Sequence, residues 1–166
     1  MIQKPSLRCG IGYDVHPFGL KRKFILGGVR IPSLVGLEGH SDADVLLHAL
    51  CDAILGAAAL GDIGTHFPDT SKRFRNVSSL RLLREVRRKL EFKRFKVVNV
   101  DATVLLEEPK IARYVNQMRK RIAAALGIMP SQVSVKATTN ERLGFIGRRE
   151  GCAALAIATI TSKELQ

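Results

Sequence analysis

The stretch from Asp42 to Leu60, DADVLLHALCDAILGAAAL, constrains this chain more than any other. A helix apolar on nearly every side has to be buried, so the fold must place it at its centre against a sheet. Asp44, His48 and Asp52 recur on it one turn apart, which draws a single polar stripe along an apolar cylinder. Burying two carboxylates and an imidazole is costly unless they are paired or bind a metal. A lone histidine on such a helix also reads as a satisfied core residue, and the helix alone leaves both readings open.

The remaining pattern supplies the sheet. Residues 8–18 (RCGIGYDVHPF) alternate as a strand, and 23–32 (KFILGGVRIP) read as a hairpin around Gly27-Gly28. Ser41 is expected to cap the long helix, with Asp42 and Asp44 in its first turn. A turn-rich loop over 61–77 precedes a basic helix. A β-rich run over 96–106 follows, then a helix from near Pro109 to before Gly127. Residues 132–138 read as a strand, 139–150 as a polar loop and 151–161 as a last strand. Strands interleaved with helices predict an α/β (α+β) two-layer sandwich, one mixed sheet with helices on one face. At 166 residues the chain is expected to be one domain, 1–166.

Charge and cysteines narrow the setting. The formal charge is +12, and eleven of the 27 basic residues fall between Lys72 and Lys96, against only Glu85 and Glu91. There Leu80, Leu83, Val86 and Leu90 form an apolar stripe, while Arg81, Arg84 and Arg88 take another face of the same helix. That pattern reads as a solvated basic face rather than a nucleic-acid groove, since aromatic platforms are confined to Phe92 and Phe95. Cys9, Cys51 and Cys152 show no C-x-x-C spacing and read as buried free thiols of a reducing compartment. No apolar run is long enough to span a membrane, and MIQKPSLRCG has neither a signal core nor a transit-peptide composition. A cytoplasmic protein is expected, with no membrane partner and no nucleic acid.

Asp14-Val15-His16 lies in the first strand, where alternation puts Asp14 and His16 on one face, ~7 Å apart. D-x-H alone is common by chance, but His48 offers a third ligand. Two nitrogens and one oxygen with a fourth position free is the ligand set of a catalytic zinc; magnesium would take more oxygens. Asp44 or Asp52 would then hold the far side of His48. Gly39-His40-Ser41, just before the helix, offers N–H groups, an imidazole and a hydroxyl to an anion. Thr138-Thr139-Asn140-Glu141 reads either as a capped turn or as a loop that holds phosphates and an oxygen-loving cation.

The runs GYDVHPF, GLEGHSDADVLLHALCDAILGAAALGDIGTHFPDT, NVDATVLLEEPKI and VKATTNERLGFIGRREG together resemble the 2-C-methyl-D-erythritol 2,4-cyclodiphosphate synthase family, in family order from about residue 8 to 160. The resemblance implies a phosphorus-oxygen lyase that releases CMP from 4-diphosphocytidyl-2-C-methyl-D-erythritol 2-phosphate, in the non-mevalonate route to isoprenoid precursors. It implies Asp14, His16 and His48 as ligands of one Zn2+ per subunit, His40 and Thr139 as catalytic residues, and Glu141 as the ligand of Mg2+ or Mn2+. Substrate contacts implied are Ser41, Asp62, Ile63, Gly64, Phe67, Pro68, Asp69, Thr70 and Ser71 beside the zinc. Leu106, Pro109, Lys110, Ile111, Ala112, Thr138 and Asn140 would hold the nucleotide side. The family is a homotrimer with sites between subunits, and Phe145 and Arg148 match residues lining a central cavity that accepts an isoprenoid diphosphate in some members. Ser71 replaces a usual acid, Arg75–Ser79 replace a common K-G-A-D-S, and Arg149 stands where a small or acidic residue is frequent. These departures fall outside the metal positions. Two alternatives stand beside this reading: a zinc phosphohydrolase with water as nucleophile, told apart by a linear product, and a basic module that binds nucleic acid through the 72–96 helix, told apart by salt-sensitive binding that survives loss of His16 and His48.

Overall fold

Alternation along strand β1 (Leu7–Leu20) sends Gly12, Asp14 and His16 to one face and Ile11, Tyr13 and Val15 to the other. The computed structural model describes residues 6–162, so the part of the amino-terminal reading that falls on residues 1–5 lies outside the described residues. Strands β2 (Phe24–Leu26) and β3 (Val29–Ile31) form the expected hairpin. Gly27 and Gly28 at its turn have φ of 57° and 72°, the left-handed pair a two-residue hairpin of matching twist requires. A short strand β4 (Val35–Leu37), not foreseen from the sequence, pairs with the end of β1.

The apolar segment forms helix α1 (Val45–Ala57), capped by Asp44 rather than Ser41. Ala43 has a left-handed backbone, φ 55°, which stops the helix from reaching back to Ser41. Asp44 accepts N–H bonds from Leu47 of the helix and from Gly27 and Gly28 of the hairpin, so one buried carboxylate satisfies two elements. The 61–77 loop contains a short helix α2 (Ile63–His66) and a 3₁₀ turn (Lys72–Phe74). Helix α3 (Ser79–Phe92) buries Leu82, Leu83, Val86 and Leu90 and leaves Arg81, Arg84 and Arg88 exposed. Strand β5 (Phe95–Leu105) leads to helix α4 (Val115–Leu126), which begins after a 3₁₀ turn rather than near Pro109 and ends at left-handed Gly127. Strand β6 (Val133–Thr138), a short helix α5 (Gly144–Gly147) inside the 139–150 loop, and strand β7 (Gly151–Ser162) complete the chain.

The sheet order is β4-β1-β7-β5-β6, with β5 and β6 parallel across the α4 crossover and the other neighbours antiparallel. It is a mixed sheet with α1, α3 and α4 packed over it. Gly10 and Gly12 set the depth of that packing. A Cβ at Gly10 would lie 2.1 Å from the Ala53 carbonyl oxygen, and one at Gly12 2.0 Å from that of Ala49. The backbone of α1 therefore rests on β1, and the two residues next along that face, Asp14 and His16, emerge beneath His48. Cys51 and Cys152 are buried as expected, whereas Cys9 is exposed on the far face, and all three are free. No helix among the described residues is long and apolar enough to cross a membrane.

Candidate functional site

Asp14 and His16 from β1 and His48 from α1 converge so that one ligand atom of each lies within 4.8 Å of the others. Asp14 Oδ2 is 3.0 Å from both His16 Nε2 and His48 Nδ1, and the two ring nitrogens are 3.2 Å apart. Burial disfavours ionising Asp14, but hydrogen bonds from both histidines outweigh it and hold the carboxyl at about 2. Burial likewise disfavours the His16 cation, yet the hydrogen bond and charge of Asp14 raise its pKa above 6.5. One carboxylate oxygen flanked by two imidazole nitrogens suits a divalent ion of intermediate hardness, and the residues present fit such a metal.

The rest of the polar stripe is engaged elsewhere. Asp52 accepts the Ile63 N–H at 2.7 Å, and Asp44 is the cap described above, pushed up to about 7 by burial and by Asp42. Neither touches the far nitrogen of His48, contrary to the expectation from sequence that one of them would hold it. That nitrogen, Nε2, lies 2.8 Å from Ser79 Oγ and 3.1 Å from Ser41 Oγ. Ser79 went unrecognised because its contact with His48 spans 31 residues and depends on how the 61–78 segment returns.

A cavity of about 540 Å³ opens beside the cluster. Among its walls are His40, Ser41, Ile63, Gly64 and the exposed Pro68, Asp69 and Thr70, with Phe67 behind them. Ser71 offers its carbonyl oxygen to His40 Nε2 at 3.2 Å, and Asp62 caps α2 through the Thr65 N–H.

A model of the YgbB family matches residues 7–161. The chain belongs to the YgbB family. A Chlorobium phaeobacteroides protein named 2-C-methyl-D-erythritol 2,4-cyclodiphosphate synthase is 60% identical over 157 residues, 95% of this chain and 99% of its own length. An Alkaliphilus oremlandii protein of the same name is 58% identical over 93% of this chain and 98% of its own. The Plasmodium falciparum IspF in complex with CDP superposes with a TM-score of 0.84 at 35% identity, over 96% of this chain and 98% of that one. The bifunctional IspDF of Campylobacter jejuni matches at 0.94 and 42% identity over 98% of this chain, which spans only 44% of that protein.

The other residues singled out from sequence lie elsewhere in this YgbB chain. Val15, Ala153, Leu105 and Thr138 share one row across β1, β7, β5 and β6, so Thr138 sits three strand spacings, ~14 Å, from Val15. Thr139 donates to Glu141 Oε1 at 2.7 Å. Glu107, also unrecognised in the sequence, accepts N–H bonds from Asn140 and Arg142 and so holds a turn in which Glu141 and Arg142 are both left-handed. Leu106 and Ile111 bury their side chains, which leaves Lys110 and Ala112 exposed and Pro109 half-buried. Phe145 is exposed on α5, and the Arg148 guanidinium is paired with Glu150. One chain therefore carries two separate groups of candidate residues at the same end of its sheet.

Proposed function

We infer that this chain is a single-domain, cytoplasmic enzyme of residues 1–166. It converts 4-diphosphocytidyl-2-C-methyl-D-erythritol 2-phosphate to 2-C-methyl-D-erythritol 2,4-cyclodiphosphate and CMP, supplying isoprenoid precursors. The observation that carries this is the convergence of Asp14, His16 and His48 beside an open cavity, in a chain about 60% identical to synthases of that name over nearly its whole length. It acts as a homotrimer, which would bring the Asp14 side of one subunit against the Glu141 side of the next. The ~14 Å gap within one chain and the apolar open face of the sheet support that arrangement.

Asp14, His16 and His48 would hold zinc, and Glu141 magnesium or manganese; the bound ions supply positive charge that stabilises the phosphoryl oxygens. The attacking 2-phosphate has a second pKa of about 6 and is already largely a dianion at neutral pH, so no side chain has to act as general base. The task left to the protein is to bring two anionic ends of a flexible substrate together, and such positioning is worth at best about 7–11 kcal/mol. Ile63, Gly64 and Phe67 to Thr70 would wall in the methylerythritol part, while His40 and Ser41 face the diphosphate. Lys110 and the backbone from Leu106 to Ala112, with Thr138 and Asn140, would hold the cytosine nucleotide. Thr139 would orient Glu141 through the bond it donates. Phe145 and Arg148 would line a central cavity able to accept an isoprenoid diphosphate. The test is CMP release by metal-stripped protein resupplied with zinc and magnesium, which should restore release; metal-independent release would overturn the assignment.

A further inference from the structure

Beside Ser41, proposed above to face the diphosphate, the far nitrogen of His48 is held by a second pair of groups, Ser79 and Asp42, that none of the proposed substrate roles uses. Ser79 Oγ lies 2.8 Å from His48 Nε2, and the Ser79 hydroxyl donates to Asp42 Oδ1. The Ser79 N–H also reaches both Asp42 oxygens at 3.1 Å, so Asp42 satisfies a free donor at the start of α3 that Ser78, the residue at the cap position, leaves alone. Backbone bonds from Asp42 N–H to Val77 and from Asn76 N–H to His40 lock the two segments side by side. Ser79 is fully buried.

This biases the place of a proton. An ionised carboxylate only accepts, so the Ser79 O–H must point at Asp42, and the Ser79 oxygen can offer His48 only lone pairs. Ser79 therefore draws the hydrogen of His48 toward Nε2 and the lone pair of Nδ1 toward Asp14 and His16; Ser41 Oγ, which accepts the Ala43 N–H, is a second, longer neighbour of Nε2 at 3.1 Å. Asp14 Oδ2, 3.0 Å from His48 Nδ1, pulls the other way and favours a proton on the nitrogen that has to bind the ion. Resting on the reading of Asp14, His16 and His48 as metal ligands, we propose that Ser79, held by Asp42, is a positioning residue that keeps His48 in its metal-binding tautomer. The partly exposed Asp42 is thereby tied to the metal centre through two hydrogen bonds.

The experiment is a chelator competition for zinc on the metal-free full chain, comparing wild type with Ser79→Ala, Asp42→Asn and His48→Ala. Loss of such a partner typically lowers metal affinity about 10–100-fold, and Ser79→Ala should fall in that range. Asp42→Asn, at a half-buried site and with the size of the side chain kept, should weaken binding severalfold and serves if Ser79→Ala does not fold. Ring nitrogen NMR of the metal-free protein should show the Nε2–H form of His48 losing population to the Nδ1–H form in Ser79→Ala, a shift that loosened packing alone would not give. Wild-type affinity in both Ser79→Ala and Asp42→Asn, with His48→Ala unable to bind, overturns the positioning role and leaves the metal site standing. Wild-type affinity in His48→Ala overturns the metal reading and this inference with it.

Discussion

At the level of single residues, the account stands on Asp14, which faces two imidazoles at 3.0 Å. His48→Ala removes a proposed ligand and is expected to abolish zinc binding and nearly all CMP release; a variant retaining both would remove His48 from the ligand set. Glu141→Ala should lower the response of the rate to magnesium while zinc stays bound, and an unchanged magnesium titration would contradict its role. The pH behaviour of the metal-free protein follows from the two shifted groups. Asp14, held at about 2, contributes stability above its ordinary 3.8 that is lost as pH falls through the lower value. His16, raised above 6.5, contributes stability below 6.5 that is lost as pH rises through its folded value. Asp14→Asn should therefore lower the melting temperature most near about pH 5 and least near about pH 9. A difference independent of pH would show that the ion pair is not formed.

At the scale of elements, the site depends on how closely α1 lies on β1. Gly12→Ala would press a methyl against the Ala49 carbonyl, a backbone atom that cannot turn aside. A loss of about 1–3 kcal/mol is expected from such overpacking, together with weaker zinc binding as His48 is lifted from Asp14; unchanged zinc affinity in a destabilised variant would uncouple packing from the site. Much of this level was legible in the sequence. The apolar periodicity of α1, the alternation of β1 and the Gly27-Gly28 turn each declare a local structure, and D-x-H plus one histidine on a polar stripe gave three converging side chains. The roles of the aspartates were not legible, because an aspartate at a helix start serves equally as cap or ligand partner. Asp44 became the cap once the left-handed backbone at Ala43 ended the helix there. The pairing of Ser79 with His48 was hidden for another reason: no local pattern reports a contact made by the return of a long loop. Strand β4 is too short to show alternation.

For the whole molecule, the face of the sheet turned away from the helices is the main unsatisfied feature. Leu7, Ile11, Tyr13, Val15, Leu155 and Ile157 lie exposed on β1 and β7, with Ile11 at 70% and Ile157 at 50% exposure. A continuous apolar sheet face is expected to be covered by other subunits. Ile157→Asp should convert the proposed trimer to a smaller species in sedimentation equilibrium and lower activity with it; an active monomer would show that each chain completes its own site. The claim that unites these scales is that the chain joins two phosphates of one substrate rather than delivering water to one. Phosphorus NMR of the product tests it most directly. The account predicts two mutually coupled diphosphate resonances beside free CMP and no phosphomonoester signal from the sugar. Monoester resonances on the methylerythritol in place of the coupled pair would mean hydrolysis, and would contradict the account.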